Sequence, residues 1–161
     1  LVGVQFFTAR VRDQPDSEQR QRVYLEALVA HSRLVEIVEG RFQARTISCH
    51  TCGTQRRSYE EKESDVNLAV AMVRDAVLDR FDTALLLSAD ADLGPAVREV
   101  HGLATGKRVI AAFPPRRRSD ALRRRADGAF TIGDAKIRQA QLPSKIICGT
   151  GLALERPAYW T

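Results

Sequence analysis

In the stretch DTALLLSADADLGPAV, Asp82 to Val97, two carboxylates, Asp90 and Asp92, stand one residue apart just after an apolar run. Like charges that close repel each other, and a cation between them offsets the repulsion. Ser88 precedes the pair by two residues. A second acidic group, EEKESDV, holds Glu60, Glu61, Glu63 and Asp65, with Lys62 among them. Magnesium and manganese take oxygen ligands, and magnesium keeps several waters, so two or three converging carboxylates suffice for a hard-cation site. Such an ion can activate a bound water. Each acid also has a plainer reading. Asp92 can cap the following helix, with Pro95 in its first turn. Asp65 can favour a helix dipole, and the glutamates can be a solvated face.

The basic residues gather further on. Lys107, Arg108, Arg116, Arg117, Arg118, Arg123, Arg124 and Arg125 share a window whose single acid is Asp120. The arginine fork matches phosphate with two parallel hydrogen bonds. Only Phe113 and Phe130 are near, so backbone contact is expected rather than base stacking, with little sequence preference. Cys49 and Cys52 form half of a zinc knuckle with no second C-x-x-C or H-x-x-x-H after it, and Cys148 stands apart. Whether the pair binds metal or is a plain loop is open. No G-x-x-x-x-G-K-[ST] is present, which argues against a P-loop NTPase.

These residues need positioning, and the chain alternates strands and helices. LVGVQFFTARV opens as a strand. Asp16 and Gln19 read as a capping box ahead of a helix from about Ser17 to Ser32. LVEIVEG and RFQARTI read as two short strands turning at Gly40, followed by a loop from Ser48 to Ser58. DVNLAVAMVRDAVLDR is a helix whose apolar side is Val66, Val70, Val73 and Val77. TALLLSA has the character of a strand buried on both faces of a parallel sheet. A helix from about Leu93 to Ala104, the strand RVIAAF, a short helix Asp120–Ala126 and the strand AFTI follow. SKIICG reads as an edge strand and ERPAYW as irregular. This alternation gives an α/β class: a mostly parallel sheet flanked by helices, with ligands at the carboxyl ends of the strands.

The 161 residues suit one domain, and 44% hydrophobic with 28% charged residues is ordinary for a globular protein. No apolar run approaches the roughly 20 residues that span a bilayer, and no signal peptide is visible, so no membrane is expected. Three cysteines cannot all pair, which favours a reducing, cytoplasmic setting. The net charge of +5 suits a polyanionic partner.

Taken in order, EKESDVNLAVAMVRDA, FDTALLLSADADLGPAVREV, GKRVIAAFPPRRRSDALRRRADGAFTI and QLP resemble the NYN domain family, PIN-like ribonucleases of the LabA-like group. The resemblance runs from about Phe6 to Pro143. It implies a PIN-like three-layer fold over residues 1–150, with 151–161 as a tail, and a metal-dependent endoribonuclease using Mg²⁺ or Mn²⁺. Matched by motif, Asp65 is the aspartate of K-x-x-D-V, with Lys62 as its lysine. Asp90 and Asp92 are the pair of S-x-D-x-D, with Ser88 as its serine. Asp65, Asp90 and Asp92 are then the metal ligands. Arg116, Arg117 and Arg118 hold RNA, or single-stranded DNA.

The family's opening strand, ending in a D-G-x-N pattern, has no match from Leu1 to Arg12. The expectation is that a strand carrying a further aspartate lies upstream. An unpaired edge left by its absence would invite self-pairing, so a homodimer is an open expectation. Two other readings compete: a non-catalytic nucleic-acid-binding or regulatory module, and a glycosyltransferase or phosphatase using the D-x-D. A phosphatase signature needs threonine or valine where Gly94 stands.

Overall fold

The computed structural model describes residues 1–103, 106–149, 151–157 and 160. Two compact units make up the chain. One contains Leu1–Asn67 and Leu142–Thr161, the other Leu68–Gln141.

In the first unit, β1 (Val4–Ala9) runs parallel to the first half of β2 (Val35–Ser48), in register from Val4 with Val35 to Ala9 with Gly40. The crossover between them is α1 (Pro15–His31), whose Tyr24 ring meets Phe6 edge-on at 6.3 Å. The expected capping box at Asp16 and Gln19 does not form. Pro15 occupies the start of the helix, where its missing N–H costs nothing, and Glu18 accepts from the Gln14 N–H at 3.2 Å.

Gly40 is not a turn. β2 is one strand of 14 residues, and at Gly40 it changes partner, from β1 to the antiparallel β3 (Gln55–Lys62). A side chain there would meet the Lys62 carbonyl at 2.5 Å and Ser64 Oγ at 2.8 Å. The glycine therefore permits a close backbone approach rather than a reversal. The expected loop from Ser48 to Ser58 shrinks accordingly, because β3 already begins at Gln55.

A hairpin of β7 (Lys145–Ile147) and β8 (Ala153–Glu155) completes the first unit and rests on α1 through Ala27, Ile146 and Leu154. β7 thus pairs with β8, which ends at Glu155, the first residue of the expected irregular stretch ERPAYW. Residues 158, 159 and 161 of the expected tail, and the expected helix end at 104, lie outside the described residues.

α2 (Ser64–Val77) leads from the first unit into the second. Its packed side is not the valine stripe. Leu68, Ala69, Met72, Val73 and Ala76 join the core, while Val66, Val70 and Val77 are exposed. Apolar residues surround this helix, so periodicity alone does not choose the face that packs.

The second unit is a parallel sheet in the order β4 (Thr83–Leu87), β5 (Arg108–Phe113), β6 (Gly128–Thr131). α3 (Gly94–Gly102) and α4 (Asp120–Arg125) make the crossovers, and α5 (Asp134–Gln139) follows. Phe113, Leu93, Leu122, Val97, Val100 and Val109 are its largest fully buried side chains. Each contributes about 1.5–3 kcal/mol by leaving water. The central strand β5 is buried on both faces. β4 is not, contrary to expectation: Leu86 is inside, whereas Leu85 and Leu87 are 62% and 58% exposed. β4 is an edge strand, and nothing in its unit covers the second face.

The class is the expected one, mixed α/β with parallel strands flanked by helices. The strands lie in two three-stranded sheets and a hairpin. No helix among the described residues is long and apolar enough to cross a membrane.

Candidate functional site

β4 ends at Leu87, and the chain turns at once. Ser88 Oγ accepts from the Asp90 N–H at 3.0 Å, and Asp90 Oδ1 accepts from the Asp92 N–H at 2.9 Å. Asp90 is thereby the cap of a 3-10 turn, Ala91–Leu93, that runs into α3. The capping role expected of Asp92 belongs to Asp90, and Asp92 is exposed on the turn. Short polar side chains favour such local bonds to the backbone, which is why this sequence stops the strand here. Ser88, Asp90 and Asp92 thus sit on one rigid corner.

β5 supplies the neighbouring corner. Leu87 pairs with Ala112, so β4 and β5 leave the sheet at the same end. After Phe113 the Arg117 N–H donates to the Pro114 carbonyl at 3.2 Å, closing a turn over Pro115 and Arg116. Arg116 has a φ of +60°, a conformation that favours glycine, and its side chain is 88% exposed. Its Nη2 stands 3.5 Å from Asp134. Arg118 and Arg123 share Asp120, at 3.3 and 3.4 Å. The expected arginine run therefore lies beside the D-x-D corner, at the carboxyl end of a parallel sheet.

Arg125, expected only as one of the basic group, packs against the corner itself. From α4 it crosses Gly94, where a Cβ would lie 2.9 Å from its Cδ. A glycine two residues after the second aspartate is the signal that could have found it. Lys107 leaves the basic group. Its side chain is 6% exposed, bonded to Asp79 and 3.6 Å from Asp82. The bond to Asp79 holds Lys107 above its ordinary value and Asp79 below its own.

Lys62 ends β3, and its Nζ pairs with Glu60 at 3.1 Å. Asp65 is exposed in the first turn of α2. Both belong to the first unit, while Ser88, Asp90, Asp92 and the arginines belong to the second. Among the described residues, no three Asp, Glu, His or Cys side chains are grouped to hold a metal ion. The S-x-D-x-D corner still carries hard oxygen donors of the kind magnesium and manganese take.

Asp127 is structural. Its Oδ2 accepts from the buried Val109 N–H at 2.7 Å and lies 2.8 Å from His101 Nε2. The Val109 bond, with lesser help from His101, holds its carboxyl below the usual range against the opposing effect of burial. Cys49 and Cys52 lie exposed on the turn between β2 and β3. The Cys52 thiol, 3.2 Å from Thr54 Oγ1, is lowered to about 7 by bonds to the Thr54 side chain and backbone and to Cys49.

The second unit is thus a parallel α/β sheet with a D-x-D corner and an arginine turn leaving its carboxyl end. The NYN domain model matches residues 6–134, and the chain belongs to the NYN domain family. It is similar to 6-hydroxy-3-succinoylpyridine 3-monooxygenase HspA of Pseudomonas putida (strain DSM 28022 / S16). The two are 26% identical over 116 residues, covering 61% of this chain but 37% of that protein. Its fold is similar to that of VPA0982 of Vibrio parahaemolyticus RIMD 2210633, described as a protein of unknown function. The TM-score is 0.54 at 21% identity, over 83% of this chain and 70% of that one.

Proposed function

We propose that this chain carries a metal-dependent endoribonuclease site, with Asp90 and Asp92 at its centre. The supporting observation is the neighbouring exit of two corners from adjacent parallel strands, one acidic and one basic. Family membership supports it too, since NYN domains are generally nuclease-like.

Asp90 and Asp92 would hold Mg²⁺ or Mn²⁺. The ion supplies an activated water and neutralises charge developing on the phosphate. The chain's residues do the rest. Asp90 keeps one oxygen bonded to the Asp92 N–H, so its carboxylate is fixed before substrate arrives. Ser88 fixes the Asp90 backbone and orients a phosphate oxygen. Arg116, Arg117 and Arg118 grip the backbone of single-stranded RNA, or of single-stranded DNA. Free Cys49, Cys52 and Cys148 suit a reducing cytoplasm.

Asp90→Asn tests the reading. Asparagine caps as well as aspartate, so the fold stays as stable as before or gains from relieved repulsion. Cleavage of single-stranded RNA with Mg²⁺ or Mn²⁺ should be abolished while binding persists. A variant that cuts at the wild-type rate refutes the assignment. A second reading, a binding module without hydrolysis, draws on the absence of a three-ligand group among the described residues. RNA bound but uncut by the wild type, with either metal, would favour it.

A further inference from the structure

The sequence CHTCG, Cys49 to Gly53, plays no part in the site above. It caps the long hairpin of β2 and β3. The Cys49 N–H donates to the Thr54 carbonyl and the Gly53 N–H to the Cys49 carbonyl, both at 2.9 Å. Gly53 adopts a φ of +68°, which ends the turn tightly. Both thiols are left on the rim of one turn, exposed and unoxidised.

The hairpin itself poses a stability problem. From Gln43 to Arg57 every residue is exposed, on both faces of the ribbon. A two-stranded ribbon with no sheet or helix over either face is marginal in water. Small elements of this kind gain stability from a metal or a partner at their end. Zinc binds two cysteines spaced C-x-x-C on one turn, and completes a tetrahedron with two further ligands. Among the described residues of this chain no third ligand joins the pair, neither His50 nor Cys148 included.

We propose that one Zn²⁺ is held by Cys49 and Cys52 of two copies of this chain, joining the tips of their β2–β3 hairpins. Charge favours this. A zinc ion with four thiolates carries a net −2. Between Arg41 and Ser58 the sequence has no acid, while Arg45, Arg56 and Arg57 flank the turn. Arg56 and Arg57, opposite Ile47 and Thr46, occupy the second and third rungs of the ladder below the turn. Cations there offset the excess negative charge. The metal would staple both ribbons at once, and each ligand pair is incomplete without the other. This inference is independent of the nuclease reading.

The reduced chain, stripped of metal by a chelator, is titrated with Zn²⁺ while its mass is followed by sedimentation. The expected result is half an equivalent of zinc per chain and a conversion from monomer to dimer. Co²⁺ in place of zinc should give the intense visible bands of a tetrahedral thiolate site. Cys49→Ser and Cys52→Ser should lose binding and dimerisation with unchanged far-ultraviolet circular dichroism, since both positions are exposed. Cys148→Ser should keep both. Zinc binding no stronger than in Cys49→Ser overturns the proposal. So does one zinc per chain in a monomer, or a dimer that forms equally well without zinc.

Discussion

At Arg116 the chain adopts a conformation that glycine prefers, at a cost of about 1–2 kcal/mol for a residue with a side chain. The turn Pro114–Arg117 has proline second and a positive φ third, the pattern of a type II turn. An arginine kept where glycine fits better is a sign of use, because strain persists at sites where a side chain must be aimed. Arg116→Gly should leave the melting temperature unchanged or raise it by a few degrees. It should also weaken RNA binding evenly across sequences and lower the slope of log affinity against log salt by about 0.7. Thermal melts and salt-dependent binding check both halves. Asp127 gives the opposite case, a carboxylate used for the fold. Asp127→Ala leaves the buried Val109 N–H without its acceptor and should cost about 1–2 kcal/mol at neutral pH. The folded value of Asp127 is depressed, so its stabilisation is complete above the unfolded value of about 3.9. That stabilisation disappears as pH falls through the folded value. The gap between wild type and variant should therefore narrow as pH falls below about 4, which melts across pH would reveal.

Among the elements, β2 decides how the first unit is built. Half of it follows β1 and half follows β3, and Gly40 stands at the exchange. Gly40→Ala drives a Cβ into the Lys62 carbonyl and Ser64 Oγ, at the point where β3 gives way to α2. Main chain on one side cannot yield cheaply, so the loss should be about 1–3 kcal/mol. A lower denaturation midpoint with unchanged slope would register it. The sequence alone did not reveal this. Glycine between two β-rich runs reads as a turn, and only the tertiary approach of Lys62 distinguishes a turn from a crowded strand. The corner after β4 was legible only in part: short polar side chains there bond to nearby backbone, but the cap falls to Asp90 rather than Asp92, and the turn at Pro114–Arg117 was not read. The packed face of α2 was not legible. Valines at 66, 70, 73 and 77 make as regular a stripe as Leu68, Met72 and Ala76, and burial is settled by what lies opposite. Lys107 was misplaced for the same reason, since its partners Asp79 and Asp82 lie on another segment.

For the whole molecule, the telling surface is the open side of β4. Edge strands normally carry a charge, a proline or a bulge, or lie under a cover. β4 reads Thr-Ala-Leu-Leu-Leu, with none of these, and exposes Leu85 and Leu87 beside an unpaired row of backbone groups. Such a strand is built to be an inner strand, and the chain as it stands leaves it a template for another. At concentrations well above those at which zinc joins the hairpin tips, these 161 residues should also self-associate through β4, a second association that persists without zinc and in Cys49→Ser. Leu87→Lys places a charge on that exposed face. It should suppress the association, seen by light scattering, without lowering the melting temperature, because Leu87 contributes little to the core of its unit. If instead Leu87→Lys unfolds the protein, the leucine is covered in solution and β4 already has its partner. If the variant folds but associates as before, the sticky surface lies elsewhere, and the exposed valines of α2 become the next residues to change.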